Sequence, residues 1–290
     1  MPKDIRTRPD LAPLVQSVVH PTDFSPASER AFAYALAIAV LRQTSLTLLH
    51  VESGKQGWRG FPAVRKTLER WGLLEPGSAQ EDVFAHLGVK VTKLTIDSRM
   101  PVHSLLGWLD GHPTDLLVVA TEGREGPARW MHGSVAEAMA RTSKTMTLFV
   151  PNDADRDIVS LEDGHLSLDN VLVPVDHSPD PSAAIEFARR IAEIAGGGRV
   201  TITLLHVGPP GSAPRIATAD GTEWTFARME RQGDPVEQIV AAATEVNADL
   251  VVMPTAGRAG VIEALSGSTT ERVLRRVRCA LLAVPASRSP

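Results

Sequence analysis

The chain has 290 residues, 43% of them apolar and 22% charged, with a formal charge of −4. That length accommodates two domains of ordinary size, each able to bury its own core. The slight acidic excess and the absence of a dense basic cluster exclude a sequence-independent grip on nucleic acid, the single Cys279 excludes an internal disulfide framework, and no run approaches the ~20 apolar residues that cross a bilayer.

Residues 1–17 carry charges and prolines but no apolar export stretch, so the expected location is the cytoplasm. The first strand is short, Val18-Val19, and runs into Pro21-Thr22-Asp23-Phe24-Ser25. The spacing then turns helical, with Ala31, Phe32, Ala35, Leu36 and Ala39 on one face. A second strand over residues 46–51 ends in Leu-Leu-His-Val. Between Glu52 and Leu87 lies a stretch with no later counterpart, in which residues 64–74 predict a helix with Leu68 and Trp71 on one side. A third strand is predicted over 89–96, and a helix starts at Pro101, proline being favoured in a first turn. Asp115-Leu116-Leu117-Val118-Val119 is a strand rich in β-branched residues. Gly123-Arg124-Glu125-Gly126 and Gly133-Ser134 follow, then a helix from Ser134 and a last strand over 146–150.

The same order then recurs. Gly257-Arg258-Ala259-Gly260 and Gly267-Ser268 stand 134 positions after their counterparts. Upstream of them are a strand at Val171-Leu172-Val173 ending in Pro174-Val175-Asp176, and a helix carrying Ile185, Ala188, Ile191, Ala192 and Ala195 that stops at Gly196-Gly197-Gly198. Strands over 200–207, 225–229, 249–253 and 280–284 and a helix from Pro235 complete the second copy. One small fold is duplicated. The expected bounds are 1–151 and 167–290, with the acidic segment 152–166 as linker. Alternating strands and helices predict a doubly wound, parallel α/β sheet in each copy.

In such a sheet, ligands bind beyond the carboxyl ends of the strands, where strand order reverses. Asp23 and Asp176 stand at the end of the first strand of each copy. A carboxylate there can accept hydrogen bonds from a sugar or base or help hold a cation; it can equally cap the following helix. The glycine segments offer backbone amides to an anion at a helix N-terminus, with a hydroxyl from Ser134 or Ser268, or simply supply loop geometry and an N-cap. Arg124 and Arg258 suit a phosphate or solvent. His50 and His206 end the second strands with no further metal ligands at suitable spacing, and are taken as structural. Asp176-His177-Ser178 has triad residue types, but neighbours on a strand end diverge, and Phe24 replaces His177 in the first copy. There is no Walker A sequence, no GxGxxG after the first strand and no GxSxG elbow, so kinase, dehydrogenase and esterase readings lack support. No catalytic or metal-binding set is expected.

These residues together resemble the universal stress protein family in its tandem form. Pro21 to Ser25 is similar to the family's first strand end, and Leu-Leu-His-Val at residues 48–51 and 204–207 to its second. The late segments resemble the pattern Gly-x2-Gly-x9-Gly-Ser of nucleotide-binding members, except that the first glycine is Ala120 in one copy and Pro254 in the other. The resemblance implies a flavodoxin-like (Rossmann-like) five-stranded sheet per repeat and ATP as ligand, with Mg²⁺ as its companion ion and slow hydrolysis at most. Carried over by position, it points to Pro21, Thr22, Asp23, Val51, Ala120, Gly123, Arg124, Gly126, Gly133, Ser134 and Val135 in copy one. In copy two it points to Pro174, Val175, Asp176, Val207, Pro254, Gly257, Arg258, Gly260, Gly267, Ser268 and Thr269. It leaves open which copy binds nucleotide, the alternative being a degenerate interaction scaffold. Tandem members resemble a dimer fused into one chain, so the repeats are expected to pack together as a pseudo-dimer, with a further homodimer as a second expectation. The final strands are the apolar edge candidates for the contact.

Overall fold

The computed structural model describes residues 15–52, 61–121, 145–195, 198–256 and 268–286. The first half runs β1 (Ser17–Pro21), α1 (Pro26–Arg42), β2 (Ser45–Glu52), α2 (Val64–Arg70), α3 (Gln80–Leu87), β3 (Lys90–Asp97), α4 (Pro101–Gly111), β4 (Leu116–Thr121) and β5 (Met146–Pro151). The second runs β6 (Asn170–Pro174), α5 (Ser182–Ala195), β7 (Val200–Val207), β8 (Trp224–Arg231), α6 (Pro235–Glu245), β9 (Leu250–Thr255), α7 (Thr269–Leu274) and β10 (Ala280–Pro285). All ten strands form one sheet, in the order β3-β2-β1-β4-β5-β10-β9-β6-β7-β8. Each half is parallel within itself; β5 and β10 meet antiparallel, Phe149 opposite Leu281 and Leu148 opposite Leu282. The pairing of the two final strands, expected from their apolar composition, is thus the seam of the molecule.

Strand alternation sorts the core into two layers. Val18, Leu116, Val118, Val171 and Val173 face α1 and α5; Val19, Leu117, Val119, Leu172 and Val251 face α4, α6 and α7. Helix α1 is buried almost all round, Ala31, Ala33, Ala35, Ala37 and Ala39 alternating with larger residues. Alanine keeps helix propensity high while letting the helix lie close to its neighbours on every side.

That helix is covered because the connector between the halves is not a loose linker. Residues 152–166 cross over α1 as a strap. Ile158 N donates to Tyr34 Oη (2.8 Å), Arg30 pairs with Asp157 (3.0 Å), and Val159 bridges Leu166. Trp71 Nε1 donates to the Leu161 carbonyl, and Gly164, at φ 70°, lets the strap lie on that indole: a Cβ there would stand 2.6 Å from the ring. The predicted helix over 64–74 is shorter than expected, ending at Arg70, although Leu68 and Trp71 are buried on one side as read. Helix α3 has no counterpart among the elements the sequence predicts; it buries only Val83. Gly196 and Gly197, expected to stop α5, lie outside the described residues.

One clamp is repeated. Asp115, at the start of β4, accepts from Gln16 N and Ser17 N through Oδ2 (2.8 and 3.1 Å). Asp249, at the start of β9, accepts from Asp169 N and Asn170 N (2.8 and 2.9 Å). Each carboxylate satisfies the amides that lead into the adjacent first strand of its half. Asp249 is 3% exposed. Asp249→Ala takes the acceptor from two amides and the buried partner from Arg156, and should cost about 2–4 kcal/mol. Asp115→Ala should cost less, since Asp115 is only half-buried and water can replace it. Urea unfolding of both variants checks the order; equal losses would show that burial of the carboxylate does not set the strength of the clamp.

Candidate functional site

Strand order reverses between β1 and β4 in the first half and between β6 and β9 in the second. At both places the ladder stops early. β1 pairs β4 only through Val18–Leu116 and Val19–Leu117; β6 pairs β9 only through Val171–Leu250 and Leu172–Val251. Beyond these pairs the strands no longer pair, and their carboxyl ends mark the crevice position at which doubly wound sheets take ligands.

In the first half, Pro21, Thr22 and Asp23 form one lip, Val51 ends β2 beside it, and Ala120 lies near the end of β4 opposite. Thr22 N donates to the Leu49 carbonyl (2.8 Å), and the buried His50 ring holds the Thr22 carbonyl through Nδ1 (2.6 Å). Phe24, at φ 63°, stacks on that imidazole with ring centroids 4.0 Å apart. Asp23 uses a single oxygen for local structure: Oδ1 accepts from Ser25 N (3.0 Å) and Ser28 Oγ (2.6 Å). Partial burial of the carboxyl pushes its pKa up, but the bonds from Ser25 and Ser28 outweigh that and hold it below the ordinary aspartate value. The helix cap itself is Ser25, which accepts from Ser28 N. The capping role weighed for Asp23 is therefore an Asx turn leading into the helix, and Oδ2 has no hydrogen bond among the described residues.

The second half differs in three respects. Asp176 is exposed and accepts from its neighbour His177 N (2.7 Å), while Asp180 serves the start of α5 through Ser182. His177 Nε2 reaches the Ser212 carbonyl (2.9 Å), tying the lip after Pro174 and Val175 to the loop beyond Val207. His206 repeats the role of His50, its Nδ1 donating to the Val175 carbonyl (3.1 Å). Finally, Pro254 sits within β9 and brings no amide to the crevice. Ser268 N-caps α7, accepting from Glu271 N (3.2 Å), with Thr269 as the first helical residue. Gly123, Arg124, Gly126, Gly133, Ser134, Val135, Gly257, Arg258, Gly260 and Gly267 lie outside the described residues.

The sequence model of the universal stress protein family matches residues 15–151 and 225–285. The chain belongs to the universal stress protein family. A universal stress protein of Mycobacterium bovis is 25% identical over 290 residues, covering 90% of this chain and 94% of that protein. A shorter match, 41% identical over 58 residues, is to a universal stress protein E homolog of Haemophilus influenzae, covering 20% of this chain but only 19% of that protein's length. Among solved structures, a universal stress protein from Archaeoglobus fulgidus superposes with a TM-score of 0.60 at 22% identity, covering 94% of this chain and 99% of that one. The family match omits residues 152–224, yet β6, α5 and β7 there repeat β1, α1 and β2 in order and direction.

In this universal stress protein, the residue that sequence reasoning missed is His20. It is fully buried on β1, where β1 and β4 diverge, and its Nδ1 donates to the Val118 carbonyl (2.9 Å). The ring thus replaces the ladder bond lost at the floor of the crevice, while Nε2 is buried with no hydrogen bond among the described residues. The second copy has Val173 there. A mismatch between two otherwise parallel strands was the available signal. Cys279 is buried, and burial pushes its thiol up to about 12, as suits an inert core cysteine. Among the described residues there is no group of three metal-ligating side chains and no helix long and apolar enough to cross a membrane.

Proposed function

We propose that this universal stress protein binds an adenine nucleotide, ATP with Mg²⁺, in its first half, as a regulatory ligand, and that the second half is its structural partner. The observation that carries the reading is the early end of the β1–β4 ladder at the switch point, with Asp23 beside it keeping one carboxylate oxygen uncommitted among the described residues. Ala120 retains a backbone amide where Pro254 has none, which favours the first half. The His177–Ser212 tie across the lips of β6 and β7 favours a scaffold role for the second. Asp23, Thr22 and Val51 would line the nucleoside end. Gly123, Gly126, Gly133, Ser134 and Val135 would lie toward the phosphates with Arg124, by family resemblance. We assign no catalytic residue.

Titration calorimetry with ATP and Mg²⁺ tests this. Asp23→Ala removes a charge-assisted hydrogen bond and should weaken binding by roughly 10- to 100-fold, about 1.5–3 kcal/mol. Asp176→Ala should leave it unchanged. Ser28→Ala serves as control, because it breaks the local bond to Asp23 without removing the carboxylate. If Asp23→Ala binds like the parent, or only Asp176→Ala weakens binding, the first-half assignment fails.

A further inference from the structure

A second cavity lies away from both crevices, over the seam of the sheet. It has a volume of about 130 Å³, and the surface it exposes is apolar, the stem of Arg42 being the one part of a charged side chain in its wall. Its sides are three matched pairs from the two repeats: Tyr34 with Phe187, Ile38 with Ile191, and Leu41 with Ile194. Leu148 and Leu282, directly opposite each other on β5 and β10, form the floor, and Ile158 of the strap forms part of the roof. The cavity therefore straddles the pseudo-two-fold axis that relates the halves. On such an axis a surface packs against its own copy, so a bulky residue meets its equivalent and a gap persists beside them. Tyr34 Oη is committed to Ile158 N and Asp157, so it offers no hydrogen bond to the interior.

A water molecule needs two to four polar partners to be held in a cavity, and the surface this wall exposes supplies none, Arg42 presenting only its stem. An apolar cavity of roughly 150 Å³ stays dry and takes benzene; this one is close to that size. Ile38, Leu41, Ile191 and Ile194 are half-buried, so the mouth opens between the C-terminal turns of α1 and α5. We propose that the seam cavity is a binding site for a small apolar molecule of single-ring aromatic size, and that its occupancy ties the two repeats together. Because its walls come from both halves, a guest stabilises their contact and neither half alone. The proposal is independent of the nucleotide reading: the cavity lies on the α1 and α5 face of the seam and shares no wall residue with the crevice among the described residues.

Benzene is the probe for melting experiments on the full chain. At about ten times its dissociation constant it should raise the melting temperature by about 3 °C. Ile38→Phe and Ile191→Phe, each filling the cavity from one repeat, should abolish that gain. Fluorobenzene followed by ¹⁹F NMR on the unaltered protein gives a readout that needs no variant. Its resonance should broaden on adding protein and sharpen again when benzene competes. A melting temperature indifferent to saturating benzene together with an unperturbed fluorine resonance would overturn the proposal. So would an undiminished gain in both filled variants.

Discussion

Phe149→Ala is expected to lower the melting temperature of the entire chain in a single transition, by about 6–10 °C. Phe149 is 0% exposed, and it faces Leu281 across the seam and Val119 on the other side. Emptying a buried phenylalanine site costs about 3–5 kcal/mol in lost burial and residual cavity. For a chain of this size each kcal/mol moves the midpoint by roughly 2 °C. The transition stays single because the core does not divide at the repeat boundary. Val19, Leu49, Leu117 and Phe149 of the first half lie in one buried cluster with Leu172, Leu205, Val251 and Leu281 of the second. Unfolding one half would also strip β5 from β10 and expose an apolar strand edge. Calorimetry should give one peak for parent and variant. Two resolved peaks, only one of them displaced, would mean that the halves are independent domains.

That continuity was legible in the sequence to the extent that it rests on repetition. Two glycine segments at a fixed offset, two Leu-Leu-His-Val strands and two prolines opening helices give the element order of both halves. The apolar character of residues 146–150 and 280–284 marks the strands that meet. Asp23 and Asp176 fall at the crevice lips because a strand end followed by a helix fixes that position in any doubly wound sheet.

The unread parts depend on contacts between distant segments. The strap over α1 rests on Ile158, Val159 and Leu166, too few apolar residues to set a period, and on Tyr34, more than a hundred positions earlier. Helix α3 presents one buried residue and leaves Phe84 64% exposed, so it has no apolar stripe to find. The clamps of Asp115 and Asp249 look in sequence like ordinary polar residues before a strand. The difference between the two crevices is a matter of single residues, His177 against Phe24 and Pro254 against Ala120, whose consequences emerge only once β7 and its loop stand beside them.

His20 gives the last expectation, and it concerns pH. Burial holds its pKa down, from 6.5 to about 4; the bond to the Val118 carbonyl, the nearby Asp23 carboxylate and the Ser28 backbone pull upward without overcoming burial. In the unfolded chain the ring takes up a proton near pH 6.5, while in the folded chain it stays neutral until about 4. The unfolded state therefore binds more protons across that window, and stability is full above pH 6.5 and lost as the pH falls. The loss attributable to this ring reaches about 3 kcal/mol by pH 4. His20→Val substitutes the residue that the second copy carries at the matching position, where Val173 is fully buried. The variant gives up one hydrogen bond to Val118 but also a buried polar Nε2, so its stability near pH 7 should lie within about 1 kcal/mol of the parent. Its stability should then decline far less between pH 6.5 and 4.5. The carboxylates held below their ordinary values, Asp23 and Glu186 among them, protonate lower and act on parent and variant alike. Urea unfolding at half-unit pH steps separates the two slopes. Parallel curves for parent and variant would show that the ring at the crevice floor is not what resists the proton.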